Sequence, residues 1–319
     1  MHKKRYVLLK KIAVPAAVIG TSYAIIGNSI VDRLLSKSGI AALIAQGGLM
    51  PTEESACFYE SEEALKGIAF YRKNIYKKLF TFNKHGECLH SIYYENEGSH
   101  VYAISCHGFT GDPSQNNIYA RRFHEMGYNV ILPYLRGHGK SEHNYCTMGW
   151  LDRLDIIDWI KYIIDKDPDA KIILHGASMG AVTVMNATGE DLPKNVICCI
   201  EDCGFTSLWD QYSIQMKSMF KLPPELILKA INPIIKSKIG FDIRENSPLE
   251  QVKKSKTPTL FIHGDKDSTV PFWMNYPLYQ NAGCEKERLV VEGATHAAAG
   301  YVYPEIYWET VTKFIEKYI

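Results

Sequence analysis

KIILHGASMGAVTVMNA, residues 171–187, sets an apolar, β-branched run against a helix-compatible one, with two glycines and a serine between them. Lys171 to His175 reads as a buried strand, and the residues after Gly180 read as a helix. Gly176 and Gly180 then bracket a turn tight enough to lift Ser178 above the sheet. G-x-S-x-G alone is a weak string; its place between a strand and a helix gives it weight. A neutral serine hydroxyl is a poor nucleophile, so the reading demands a base and an orienting acid further along.

The alternation of strand and helix extends in both directions. Leu89 to Tyr94 and Val101 to Cys106 read as strands joined through NEGSH, a hairpin or a neighbouring pair. A helix over Asn117–Met126, the strand YNVILPY and a helix over Asp152–Ile164 precede KIILHG. VICCI, TPTLFIHG, RLVVEG and a helix over Pro304–Tyr318 follow. Nearly continuous apolar strands with amphipathic helices between them predict a mostly parallel sheet covered on both faces. Residues 207–256 interrupt the pattern. Trp209, Tyr212, Met216, Met219 and Phe220 recur at helical spacing, Pro223 and Pro224 end that helix, and Leu226 to Ile231 begins another. The insertion is either a helix on the sheet edge or a lid. Its start at the carboxyl end of a central strand, where open sheets bind ligands, favours the lid.

His296 stands in GATHAAAG after RLVVEG, on a loop able to reach Ser178. Asp267 stands in HGDKDSTVP after TLFIHG and can accept from the imidazole, fixing the tautomer in which Nε2 takes the serine proton. Asp265, two residues earlier, is a rival by spacing alone. Upstream, VYAISC runs into His107-Gly108-Phe109-Thr110-Gly111, a loop suited to present a backbone N–H. Phe109 and Met179 are the candidate donors to an oxyanion.

With SCHGFTGDP, LPYLRGHGKSE, HGASMGA, EDCGFTSLWD, FDIRENSPLEQV, TPTLFIHGDKDSTVP and GATHAAA, residues 93–319 resemble the α/β-hydrolase superfamily. The similarity is to its prokaryotic branch of Bem46-like and serine-aminopeptidase-like hydrolases. The resemblance implies the α/β-hydrolase fold, with Ser178 as nucleophile, Asp267 in preference to Asp265 as acid and His296 as base. It implies Phe109 and Met179 as oxyanion donors. It implies acyl chemistry and leaves the substrate open: a small-molecule carboxylic ester is expected, with an amide or peptide bond, or a non-catalytic scaffold, as alternatives. The aromatic and methionine side chains of the insertion predict an apolar pocket, and its prolines a roof suited to short or medium acyl chains.

No cofactor and no metal are expected. GDKDST lacks the glycine and the glutamate of a calcium loop, and neither a dinucleotide fingerprint nor a Walker lysine occurs. Across 319 residues, 36 Lys and Arg balance 35 Asp and Glu, which offers no field to attract nucleic acid. The eight cysteines form no disulfide or zinc spacing and read as buried thiols.

Residues 1–11 carry Lys3, Lys4, Arg5, Lys10 and Lys11, and no charge follows from Ile12 to Val31. That run is long enough to span a bilayer, with the basic end cytoplasmic. The expected organisation is a basic region over 1–11, a membrane anchor over 12–31 and a helical connector and edge over 32–87. The core covers 88–206 and 257–319, and a lid covers 207–256. The body is expected outside the cytoplasm on a single-pass anchor; secretion after signal cleavage, and a surface-lying helix on a cytoplasmic protein, are the alternatives.

Overall fold

The computed structural model describes residues 25–45, 60–220 and 223–319. Eight strands form one sheet: β1 (Lys77–Phe82), β2 (Cys88–Tyr94), β3 (Val101–Cys106), β4 (Asn129–Pro133), β5 (Lys171–Ala177), β6 (Val196–Asp202), β7 (Thr259–Gly264) and β8 (Lys286–Val291). Their order is β1-β2-β4-β3-β5-β6-β7-β8. β1 and β2, and β2 and β4, run antiparallel; the other neighbours are parallel. β4, β7 and nearly all of β5 and β6 are buried, as their unbroken apolar sequences require of strands covered twice. One face is covered by the Asp152–Lys166 and Met179–Thr188 helices, through Trp159 and Val182. Phe123 and Tyr307 cover the other, from the Asn117–Glu125 and Pro304–Ile315 helices.

β2 and β3 do not pair. β4 lies between them, because residues 95–100 form a crossing loop in place of a tight turn. Asn129, at the start of β4, accepts the Asn96 N–H at 2.8 Å and donates to the Ser99 carbonyl at 2.8 Å, carrying the loop over that strand's end. β1 is a strand inside the stretch expected to be helical connector. KKLFTF is charged and exposed at the sheet edge, so its pattern carries little strand signal.

Beyond β6 the insertion comprises the helices Leu208–Phe220, Pro224–Ile239 and Pro248–Val252. Pro233 does not break the second of these; it sits inside it. Asn246 joins insertion to core. Its amide accepts from Asn186 at 2.9 Å and donates to the Met148 carbonyl at 2.8 Å, while its carbonyl accepts from Leu208 N–H at 2.9 Å.

Residues 12–24 of the uncharged run lie outside the described residues. The run's end belongs to a helix over 25–35, in which Ile25 and Ile26 are exposed while Val31 and Leu35 join the core beside Ile234 and Ile235. Val31 was expected inside a membrane span; it is buried in protein instead. At Gly27 a β-carbon would overlap Ile234 Cδ1 at 2.2 Å, so this helix lies directly on the insertion. Asp32 receives Lys238 at 2.6 Å and the Tyr145 hydroxyl at 2.7 Å. Among the described residues, no helix is long and apolar enough to cross a membrane.

Candidate active site

β5 delivers Ser178 onto a backbone with φ 56° and ψ −120°, in a region that L-residues rarely occupy. The flanking glycines are required by close approach. A β-carbon on Gly176 would lie 2.2 Å from the Gly180 carbonyl, and one on Gly180 would lie 2.0 Å from the Cys106 carbonyl. The Ser178 N–H donates to the Asp202 carbonyl at 2.8 Å, holding the turn.

His296 Nε2 accepts from Ser178 Oγ at 2.8 Å, and its Nδ1 donates to Asp267 Oδ2 at 2.7 Å. Oδ1 of Asp267 accepts the N–H groups of Thr269 and Val270, each at 2.9 Å. Burial alone raises a carboxyl, but His296 and His263 outweigh it and hold Asp267 at about 2. His263 Nε2 donates to the Val270 carbonyl at 2.9 Å and lies 3.2 Å from Asp267 Oδ2. Asp265 faces elsewhere, accepting the Gly293 N–H at 2.6 Å and pairing with Lys266 at 3.2 Å.

The loop bearing Phe109 is held by two histidines. His107 Nδ1 donates to the Gly108 carbonyl at 2.9 Å, and its Nε2 accepts the Leu135 N–H at 3.2 Å. His138 Nε2 accepts the Thr110 N–H at 3.2 Å. Burial drives His107 down to about 3 and His138 in the same direction, so both act as neutral hydrogen-bonding groups. Phe109 and Met179 flank Ser178 at a cavity of about 270 Å³. The Cys146 thiol lies 3.5 Å from the Met179 sulfur.

Among the described side chains, the insertion brings glutamines to the cavity and none of the expected aromatic or methionine residues. Gln211 and Gln215 line the cavity, while Trp209, Tyr212 and Met216 pack into the core. Apolar lining comes from Phe109, Met148, Met179, Phe205 and Val270. A helix with apolar residues on its inner face can present only its flanks to a neighbouring cavity, and those flanks carry glutamines.

The prolyl oligopeptidase family matches residues 114–319, the larger part of the chain, including the serine, the aspartate and the histidine. The chain belongs to that family. The YqkD protein of Bacillus subtilis is 28% identical over 214 residues, covering 67% of this chain and 70% of that one. The esterase Pf2001 of Pyrococcus furiosus superposes with a TM-score of 0.63 at 25% identity, over 77% of this chain and 92% of the esterase. An acylaminoacyl peptidase of Pyrococcus horikoshii shares the fold, with a TM-score of 0.57 at 19% identity, over 80% of this chain and 43% of the peptidase. The fold is that of the α/β-hydrolases, as the sequence resemblance implied.

Ser178, Asp267, His296, Phe109 and Met179 converge on one place. Met148, Gln211, Gln215 and His263 were not foreseen there. Met148 has φ 49° in a loop, and the others depend on which way an element is rotated, for which local sequence holds no signal.

Proposed function

We propose that this chain is a serine hydrolase that cleaves small carboxylic esters through an acyl-enzyme on Ser178. The observation that carries the proposal is the unbroken line from Asp267 through His296 to Ser178 Oγ, opening on a cavity. Ser178 Oγ attacks the ester carbonyl as its proton passes to His296 Nε2. Asp267 holds the imidazole in the required tautomer and stabilises its charge. The N–H groups of Phe109 and Met179 receive the oxyanion, His296 protonates the departing alkoxide, and a water activated by His296 releases the acid. The cavity sits at the small end of ligand sites, which supports short to medium acyl chains.

Cleavage of amides is the second reading, supported by the family match to prolyl oligopeptidases. The motifs quoted above support the Bem46-like and serine-aminopeptidase-like branch. Five basic residues ahead of Ile12 support a membrane anchor with the body outside the cytoplasm, ending before the buried Val31. The position of residues 207–256 supports a lid.

The test is a fluorophosphonate probe together with p-nitrophenyl esters and aminoacyl arylamides. Wild type is expected to label and to turn over esters faster than amides. Folded Ser178→Ala and His296→Ala variants are expected to lose several orders of magnitude in kcat/KM. Retention of more than about a tenth of wild-type kcat/KM by either variant sinks the assignment.

A further inference from the structure

The catalytic cycle above leaves one carboxyl group beside the reacting residues without a task. β6 ends at Asp202, in register with Ala177, which precedes Ser178, and with Ile262, which precedes His263. The Asp202 side chain is 1% exposed, and the Tyr307 hydroxyl and the Cys203 thiol stand against its carboxyl group. A buried ionisable group is costly to keep, and its persistence calls for a reason.

The surroundings supply one. His263 and His296 favour the charged form of Asp202, as does the Cys203 thiol, while Asp267 opposes it. The hydroxyls of Tyr307 and Tyr119 face it from the opposite layer, and that of Tyr119 is itself buried without a partner. Cys203, next in the chain, brings its sulfur within 4.8 Å of the nearest ring nitrogen of His296 and carboxylate oxygen of Asp267. The end of β6 therefore runs alongside the Asp267–His296 pair.

We propose that Asp202 is a positioning residue of the hydrolytic reaction, a second carboxyl that in its ionised form adds to Asp267 in stabilising the protonated His296 formed as Ser178 attacks. It rests on the serine-hydrolase reading. Asp202 neither takes nor gives a proton in the cycle; the proton moves from Ser178 Oγ to His296 Nε2 and on to the leaving group. Burial pushes Asp202 up to about 6, so it is neutral below that pH and charged above it. A negative charge near an imidazole favours the protonated form, which helps the transition state.

The size of the effect therefore depends on pH. Asp202→Asn is expected to lower the upper plateau of kcat/KM by about tenfold. The ratio of wild type to variant then shrinks towards one below a pH of about 6. Asp202→Glu keeps an ionisable carboxyl and is expected to keep a pH-dependent ratio. It replaces the asparagine variant as the test if that variant does not fold.

The experiment measures kcat/KM against pH for the full chain with p-nitrophenyl acetate, wild type beside each variant, with circular dichroism to establish folding. A loss by the same factor at every pH, or no loss, overturns the proposal while leaving the serine-hydrolase reading intact. Failure of folded wild type to label with fluorophosphonate or to hydrolyse any ester overturns both.

Discussion

The two aspartates after β7 differ by two positions and by everything that matters to a histidine. Asp267 carries His296 on one oxygen and two backbone N–H groups on the other, whereas Asp265 holds the Gly293 turn. Asp267→Asn is expected to cut kcat by at least about a hundredfold, since an amide no longer fixes the imidazole tautomer. Asp265→Asn is expected to leave kcat within about threefold and to lower Tm. Equal kinetic damage from the two, measured on folded protein, refutes the assignment. Because Asp267 sits at about 2, its loss of charge is not expected to limit activity above a pH of about 4. Ser178, Asp267 and His296 were legible because each follows a strand, where turn chemistry narrows what a residue can do. Asp202 ends a strand too, yet nothing in EDCG distinguishes a buried carboxyl from a solvated one. That difference arises only when Tyr119 and Tyr307 close over it from another layer.

At the scale of elements, helical spacing located the Leu208–Phe220 helix but not its rotation. Trp209, Tyr212 and Met216 of this helix turn to the core, so the cavity receives Gln211 and Gln215. Gln211 is fixed by donation from Nε2 to the Thr269 carbonyl at 2.9 Å, which ties the insertion to the loop carrying Asp267. Hydrolysis of p-nitrophenyl esters is expected to fall from butyrate towards palmitate, because the cavity is small and one wall is polar. Gln215→Leu is expected to raise the rate on octanoate relative to acetate by about threefold, the order of selectivity that one apolar contact supplies. A wild-type chain-length profile peaking at laurate or longer sinks this reading of the pocket. The strands show the same limit. Buried β4 to β7 announced themselves through unbroken apolar runs, while β1 has an exposed face and lysines at its start. Pairing of β2 with β3 was misjudged because the side chain that routes their connection, Asn129, lies on β4.

For the whole molecule, the parallel sheet and its covering layers were legible from the order of elements, but the junction of the N-terminal segment with the body was not. Hydropathy treats Ile12 to Val31 as one run, whereas the fold divides it: Val31 packs with Leu35, Ile234 and Ile235, and Gly27 meets Ile234. The contact is tertiary, across some two hundred residues, and neither end signals the other. Lys238 and Tyr145 converge on Asp32, and the Cys146 N–H donates to the Leu35 carbonyl at 2.8 Å. These contacts link the segment to the insertion and, through Cys146 and Met179, to the cavity. A chain starting at Asp32 therefore gives up a buried valine and the start of a packed helix, whereas one starting at Ile25 keeps both. Burial of a valine is worth about 1.5–3 kcal/mol, of which truncation at a helix end forfeits a large part. The chain from Ile25 is expected to match full-length protein in kcat/KM on p-nitrophenyl acetate. The chain from Asp32 is expected to melt several degrees lower, at about 2–4 °C per kcal/mol for a domain of this size. Asp32→Ala within the chain from Ile25 separates the ionic contribution from the packing one, and is expected to cost less because that pair is partly exposed. Identical melting temperatures for the chains starting at Ile25 and Asp32 would show that the helix over 25–35 is not part of the folded unit.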